Sequence, residues 1–150
     1  MAVRIKRAYE SSERTDGYRV LIDRIWPRGV SKEEARLDEW ARELELTVQC
    51  RQTNDEGEFV KWCHDALDWA GGIVANPGAW THYSYAIHDA LEILDIPIVE
   101  VHLSNILERK EEWRHTSVLE PLVAHRVLGK GPDGYREALQ FLAAKRGAAA

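Results

Sequence analysis

Polar breaks along this chain fall at the ends of short apolar runs, and that alternation predicts the architecture. Residues 73–75 and 96–101 are rich in Ile and Val, the pattern of strands buried in a parallel sheet. The first runs into Asn76-Pro77-Gly78 and then Thr81-His82; the second runs into His102-Leu103-Ser104-Asn105. Between them, Ile87, Leu91 and Leu94 recur at helical spacing within 84–94. This is a strand–helix–strand unit. In open α/β sheets ligands bind outside the carboxyl ends of the strands, so both polar clusters are expected to face one crevice.

The same alternation extends through the chain. Residues 2–16 open with VRIKRAY, whose basic residues suit an edge strand, followed by a polar turn. Residues 18–23 (YRVLID) read as a buried strand and 24–29 (RIWPRG) as a loop at its carboxyl end, broken by Pro27 and Gly29. Ser31 and Glu34 form a capping box for a helix with Leu37, Trp40, Ala41 and Leu44 on its apolar stripe. A second strand is expected over 46–52. An amphipathic helix follows over 56–70, with Phe59, Trp62, Cys63, Ala66, Leu67 and Ala70 on one side. Residues 106–120 are charged and read as a loop with a short helix; 124–128 form a weaker fifth strand. Gly129-Lys130-Gly131 turns the chain into a last helix opened by Pro132, with Tyr135, Ala138, Leu139 and Leu142 facing inward and the tail 145–150 expected to fray. Alternating strands and helices imply a parallel sheet covered on both faces and joined by right-handed crossovers. With five main strands the expected fold is a flavodoxin-like α/β three-layer sandwich. No repeat or long linker divides residues 1–150, so one domain is expected.

Composition narrows the partners. The chain has 150 residues, 45% hydrophobic and 30% charged, with net charge -5, an ordinary globular balance. No block of Lys and Arg stands out, which argues against sequence-independent nucleic-acid binding. No apolar run approaches the roughly 20 residues of a membrane helix, and the N-terminus lacks the apolar core of a signal peptide. A cytoplasmic location is expected, with Cys50 and Cys63 as reduced, packed thiols. No CxxC or His/Cys zinc spacing is present, so no metal site is expected.

The candidate chemistry gathers at the two strand ends: Asn76, His82, Glu100, His102, Ser104, Arg109 and Arg114. There is no GxGxxG or GxxxxGK loop for a nucleotide and no GxSxG serine elbow. What remains is a set of hydrogen-bond donors with two imidazoles, the usual proton carriers near neutral pH. Glu100 precedes His102 by two residues, so on one strand both point the same way. A carboxylate there raises the imidazole pKa and fixes its tautomer. Backbone N–H groups at Leu103-Ser104 can hold a carboxylate, while Asn76 and Arg114 can hold hydroxyls. The set suits a small polyhydroxylated acid and proton transfer. The blander reading makes Glu100 and His102 a plain ion pair, Asn76-Pro77-Gly78 a turn, and 109–114 a solvated charge run. His64, His88, His115 and His125 are read as structural or solvated.

The ordered motifs resemble type II 3-dehydroquinate dehydratases over about residues 46–143. They are Gln52-Thr53-Asn54 with Glu56-Gly57-Glu58, NPGAWTH (76–82), Asp89, DIPIVEVHLSN (95–105), Arg109, Glu111-Glu112-Trp113-Arg114, Ser117 and GPDGYREAL (131–139). The resemblance implies a flavodoxin-like fold, a homo-oligomer (a trimer or a dodecamer of trimers), no cofactor, and water elimination from 3-dehydroquinate through an enolate. It implies His102 as general acid and Glu100 orienting the imidazoles. Asn76, His82 and Arg114 would bind substrate hydroxyls, Leu103-Ser104 the carboxylate, and Asp89 would reach a neighbouring subunit's site; Arg109 is carried as a further binding residue. The family's opening GPNLN strand end and its lid, which carries the tyrosine base and its arginine, are absent. In their place residues 1–44 form an atypical head that resembles the uncharacterised YeaO-like family across IKRAYE and DGYRVLIDRIWPRG. Residues 18–23 are then expected to supply the first strand of a dehydroquinase-like body spanning 45–146. Tyr83, with Arg24 or Arg28 nearby, is the expected substitute base. Two other readings accompany the dehydratase. One is a carboxylic-acid binding protein with impaired turnover. The other is a dehydratase for a different cyclic polyhydroxy acid, with Trp26, Trp80 and Tyr83 making the pocket more aromatic.

Overall fold

A computed structural model of the chain describes residues 18–24 and 36–149. In order, these form strand β1 (Tyr18–Arg24), helix α1 (Leu37–Glu43), β2 (Leu46–Arg51), α2 (Glu56–Ala66), β3 (Gly72–Asn76), α3 (Tyr85–Glu92), β4 (Ile98–His102), β5 (His125–Leu128) and α4 (Asp133–Ala149). The strands pair in parallel in the order β2-β1-β3-β4-β5. The α/β class and the parallel sheet read from the sequence are those observed. The N-terminal edge strand, the Ser31–Glu34 capping box, and residues 25–29 with Trp26 and Arg28 lie outside the described residues.

Strand alternation sorts the core into two layers. Val74, Val99 and Val101 pack with Leu37, Trp40, Tyr135, Leu139 and Leu142 under α1 and α4. Ile73, Ala75 and Ile98 pack with Phe59, Cys63, Ile87 and Leu91 under α2 and α3. Glu100 and His102 keep step with Ile98, so they belong to the α2/α3 face. Both helices of that layer are capped from their own sequence: Asp55 accepts from the Glu58 N–H at 3.1 Å, and Ser84 from the Ile87 N–H at 3.1 Å. On the opposite face Gly72 lets α4 approach closely, since a Cβ there would stand 2.9 Å from Leu142 Cδ2.

Several boundaries differ from expectation. β4 begins at Ile98 rather than Ile96; Pro97, which has no N–H to donate, offers only its carbonyl, to Ile73 at 3.0 Å. α2 ends at Ala66 and the chain turns, leaving Leu67 54% exposed. The charged stretch 106–120 holds two 3-10 turns, Ile106–Glu108 and Glu112–His115. The tail does not fray: α4 runs to Ala149, because alanines favour helix and Arg146 donates to the Glu45 carbonyl at 2.9 Å, tying the tail to the end of α1. Cys50 and Cys63 remain thiols on β2 and α2. No described helix is long and apolar enough to cross a membrane.

Candidate active site

The carboxyl ends of β3 and β4 open into a cavity of about 210 Å³. Asn76, Gly78, Ala79, His82, His102, Leu103, Ser104, Ile106, Arg109 and Arg114 line it. Arg24, the last residue of β1, is in register with Asn76, so the backbone of β1 ends beside the same edge. The two polar clusters read from the sequence do meet in one crevice.

Each lining group is fixed by its element. Asn76 ends β3 and is buried; its Nδ2 donates to the Tyr135 hydroxyl at 3.0 Å and its Oδ1 accepts from the Gly78 N–H at 3.3 Å. His82 ends the 3-10 turn Gly78–His82. Its Nδ1 lies 2.7 Å from the Thr116 carbonyl. A carbonyl only accepts, so Nδ1 carries the hydrogen and neutral His82 holds its lone pair on Nε2. Trp113 meets the His82 ring edge-on at 5.1 Å and lies 4.2 Å under the Arg114 guanidinium, a cation–π stack that holds Arg114 at the wall. Arg109 donates to Ser104 Oγ at 2.9 Å.

Beneath the cavity lies Glu100, with none of its surface exposed. Its Oε1 accepts from His102 Nε2 at 2.7 Å and from the Thr81 hydroxyl. Its Oε2 accepts from Ser117 at 3.1 Å and from Arg126 Nε at 3.0 Å. Burial by itself raises the Glu100 pKa. The hydrogen bonds from His102 and Thr81, with the charges of His102 and Arg126, outweigh it and hold the carboxyl below its ordinary 4.5. An ionised Glu100 requires hydrogen on His102 Nε2. Nδ1, which bonds to no described residue, is the nitrogen left to give or take a proton.

Other expected residues lie elsewhere. Tyr83 is 58% exposed and does not line the cavity. Asp89 projects from α3 with its side chain 81% exposed, 3.3 Å from His88. Trp80 packs edge-to-face on Phe59 at 6.0 Å, within the α2/α3 layer rather than the cavity. Among the described residues lining the cavity, the imidazoles are the only groups that ordinarily titrate near neutral pH. His88, Asp89 and Glu92 bring ligand-type atoms within 4.8 Å of one another on α3, but they do not line the cavity. Sequence reasoning missed Thr81, Thr116 and Arg126 as site partners, and it read Tyr135 as plain core. The one available signal was Arg126 itself, a charge within the weaker fifth strand expected over 124–128.

A family model described as dehydroquinase class II matches residues 28–143. The chain belongs to that family. The match reaches back into the head at residue 28. The 3-dehydroquinate dehydratase of Deinococcus radiodurans is 45% identical over 111 residues, 73% of this chain and 77% of that protein. The Salinispora tropica 3-dehydroquinate dehydratase is 51% identical over 104 residues, 69% of this chain and 72% of the relative. The crystal structure of a type II dehydroquinase from Propionibacterium acnes superposes with TM-score 0.74 at 41% identity, covering 85% of this chain and 97% of that one. This dehydroquinase chain therefore carries its cavity at the carboxyl edge of a family sheet, with His102 and Glu100 as its floor.

Proposed function

We propose that the chain catalyses dehydration of 3-dehydroquinate to 3-dehydroshikimate as a type II dehydroquinase, a hydro-lyase of the shikimate pathway. The observation that carries this is the His102–Glu100 pair, 2.7 Å apart, at the floor of a polar cavity on a class II dehydroquinase chain. Transfer of the proton beside the ketone to a base, the role the sequence reading gives Tyr83, leaves an enolate. The enolate expels the β-hydroxyl, and His102 Nδ1–H supplies the proton that lets it leave as water. Glu100 fixes the ring and stabilises the imidazolium. Asn76, His82 and Arg114 bind hydroxyls, Leu103-Ser104 with Arg109 take the carboxylate, and no cofactor takes part. We read the fold as flavodoxin-like, with Tyr18–Arg24 in the place of the first strand and the head 1–44 as a YeaO-like replacement for the family lid. The proposed assembly is a cytoplasmic homo-oligomer in which exposed Asp89 reaches a neighbour's site.

A second reading, ligand binding with impaired turnover, is favoured by one placement: no tyrosine is among the described residues lining the cavity. The expected substitute base, Tyr83 with Arg24 or Arg28 nearby, draws no support from the exposed position of Tyr83. The test is to mix the protein with 3-dehydroquinate and follow ultraviolet absorbance of the conjugated enone. Enone should form, and His102→Ala should slow it by about 10²–10⁴-fold, the usual share of a general acid. A flat trace, with dehydroquinate still raising the melting temperature, would replace the dehydratase by the binding protein.

A further inference from the structure

We propose that Arg126, on β5, is a positioning residue for proton transfer that sets how readily the Glu100–His102 pair releases its proton. The inference rests on His102 acting as proton donor, as proposed above. The geometry starts from register: Glu100 and Arg126 are direct partners on the paired strands β4 and β5. Arg126 Nε reaches Glu100 Oε2 at 3.0 Å, while Oε1 faces His102 Nε2 at 2.7 Å. The carboxylate is thus divided. Oε2 is clamped to the scaffold by Arg126 and Ser117, while Oε1, which also accepts from Thr81 and Ser117, is aimed at the imidazole. Fixing Oε2 fixes the plane of the carboxylate, and that plane fixes the ring.

The guanidinium is also poorly satisfied where it sits. Its Nη2 is buried with no hydrogen-bond partner, and the Glu120 carboxylate stands 3.9 Å away. A buried donor without a partner is destabilising, and such groups call for an explanation beyond packing. Charge supplies one. A buried carboxylate alone would bind the imidazolium proton tightly, which makes a poor acid. A permanent positive charge on the far oxygen offsets that pull.

The sign does not depend on which atom holds the proton. Removing a neighbouring positive charge raises proton affinity at both Glu100 and His102, so the apparent pKa of the pair must rise. Among the described residues, the other charged or titratable groups around the pair are His82, Arg109 and Arg114, which line the cavity, and Glu120 behind Arg126. Thr81 and Ser117 are neutral, as are Ala75 and Asn76 of β3. All of these stay constant across the variants, so the difference isolates Arg126.

The experiment is an NMR titration of the His102 ring in the whole protein, comparing Arg126→Gln, Arg126→Val and Arg126→Lys with the unaltered chain. Thermal melts establish folding. Arg126→Val is included because a β-branched residue suits a strand if Gln is not tolerated. Both neutral variants should raise the titration midpoint by about one unit. Arg126→Lys, which keeps the charge, should hold it within a few tenths. An unchanged midpoint in a folded neutral variant would overturn the proposal, as would an equal rise in all three. The readout needs no turnover, so a protein that failed to dehydrate 3-dehydroquinate would still report on Arg126. Where enone formation is measurable, the alkaline limb of kcat/KM should move up with the midpoint.

Discussion

Burying a carboxylate completely is tolerated only where charges and donors surround it. Glu100 has four donors, Thr81, His102, Ser117 and Arg126. Glu100→Gln keeps the shape but leaves Arg126 facing a neutral amide at a buried site. It should cost about 3 kcal/mol of stability, read as a lower denaturation midpoint; an unchanged midpoint would contradict the assigned network. The pH dependence has a definite sign. The folded pKa lies below the unfolded one, so the stabilisation is complete above the unfolded value. It is lost as pH falls from about 4.5 through the folded pKa. Glu100→Gln should therefore flatten the acid limb of the stability curve below about pH 4.5. In the sequence, the Glu100–His102 pair was legible because residues two apart on a strand share a face. Arg126 was not, because its partnership depends on the register of β4 and β5, which single-sequence periodicity does not set. Tyr83 was misleading for a related reason: adjacency to His82 along the chain says little about direction at the end of a 3-10 turn.

At the scale of elements, polar side chains at boundaries decide where each helix starts and which neighbour it holds. Ser84 accepts from the Ile87 N–H at the start of α3 and donates to Glu56 at the start of α2. It joins the two helices over the Phe59–Ile87 core. Ser84→Ala should lower stability by about 1 kcal/mol through the lost cap. Calorimetry should show a lower melting temperature, and no change would mean that the cap is idle. The strands were legible because apolar runs end at Pro, Gly and Asn. Their limits moved where one backbone group mattered, as at Pro97. The C-terminal helix was underestimated because Arg146 finds the Leu44 and Glu45 carbonyls, a contact between residues about a hundred positions apart.

For the whole molecule, alternation of elements made the α/β class legible, and the polar strand ends located the cavity. The scale that stayed hidden was the joining of distant segments. Glu100's donors lie at positions 81, 102, 117 and 126, on four separate pieces of chain. A chain growing from its N-terminus therefore makes the acid of the site before it makes the cation that neutralises it. Until β5 docks, closing the sheet around β4 would seal in an underpaired negative charge, and water will keep that edge open. Amides of β4 should consequently gain protection from hydrogen exchange in the same refolding step as those of β5; protection of β4 alone in an earlier step would refute this order. Completeness of the chain and competence of the site then arrive together. A copy truncated before β5 should therefore present a hydrated β4 edge and be cut by protease faster than the full chain, rather than work at half strength.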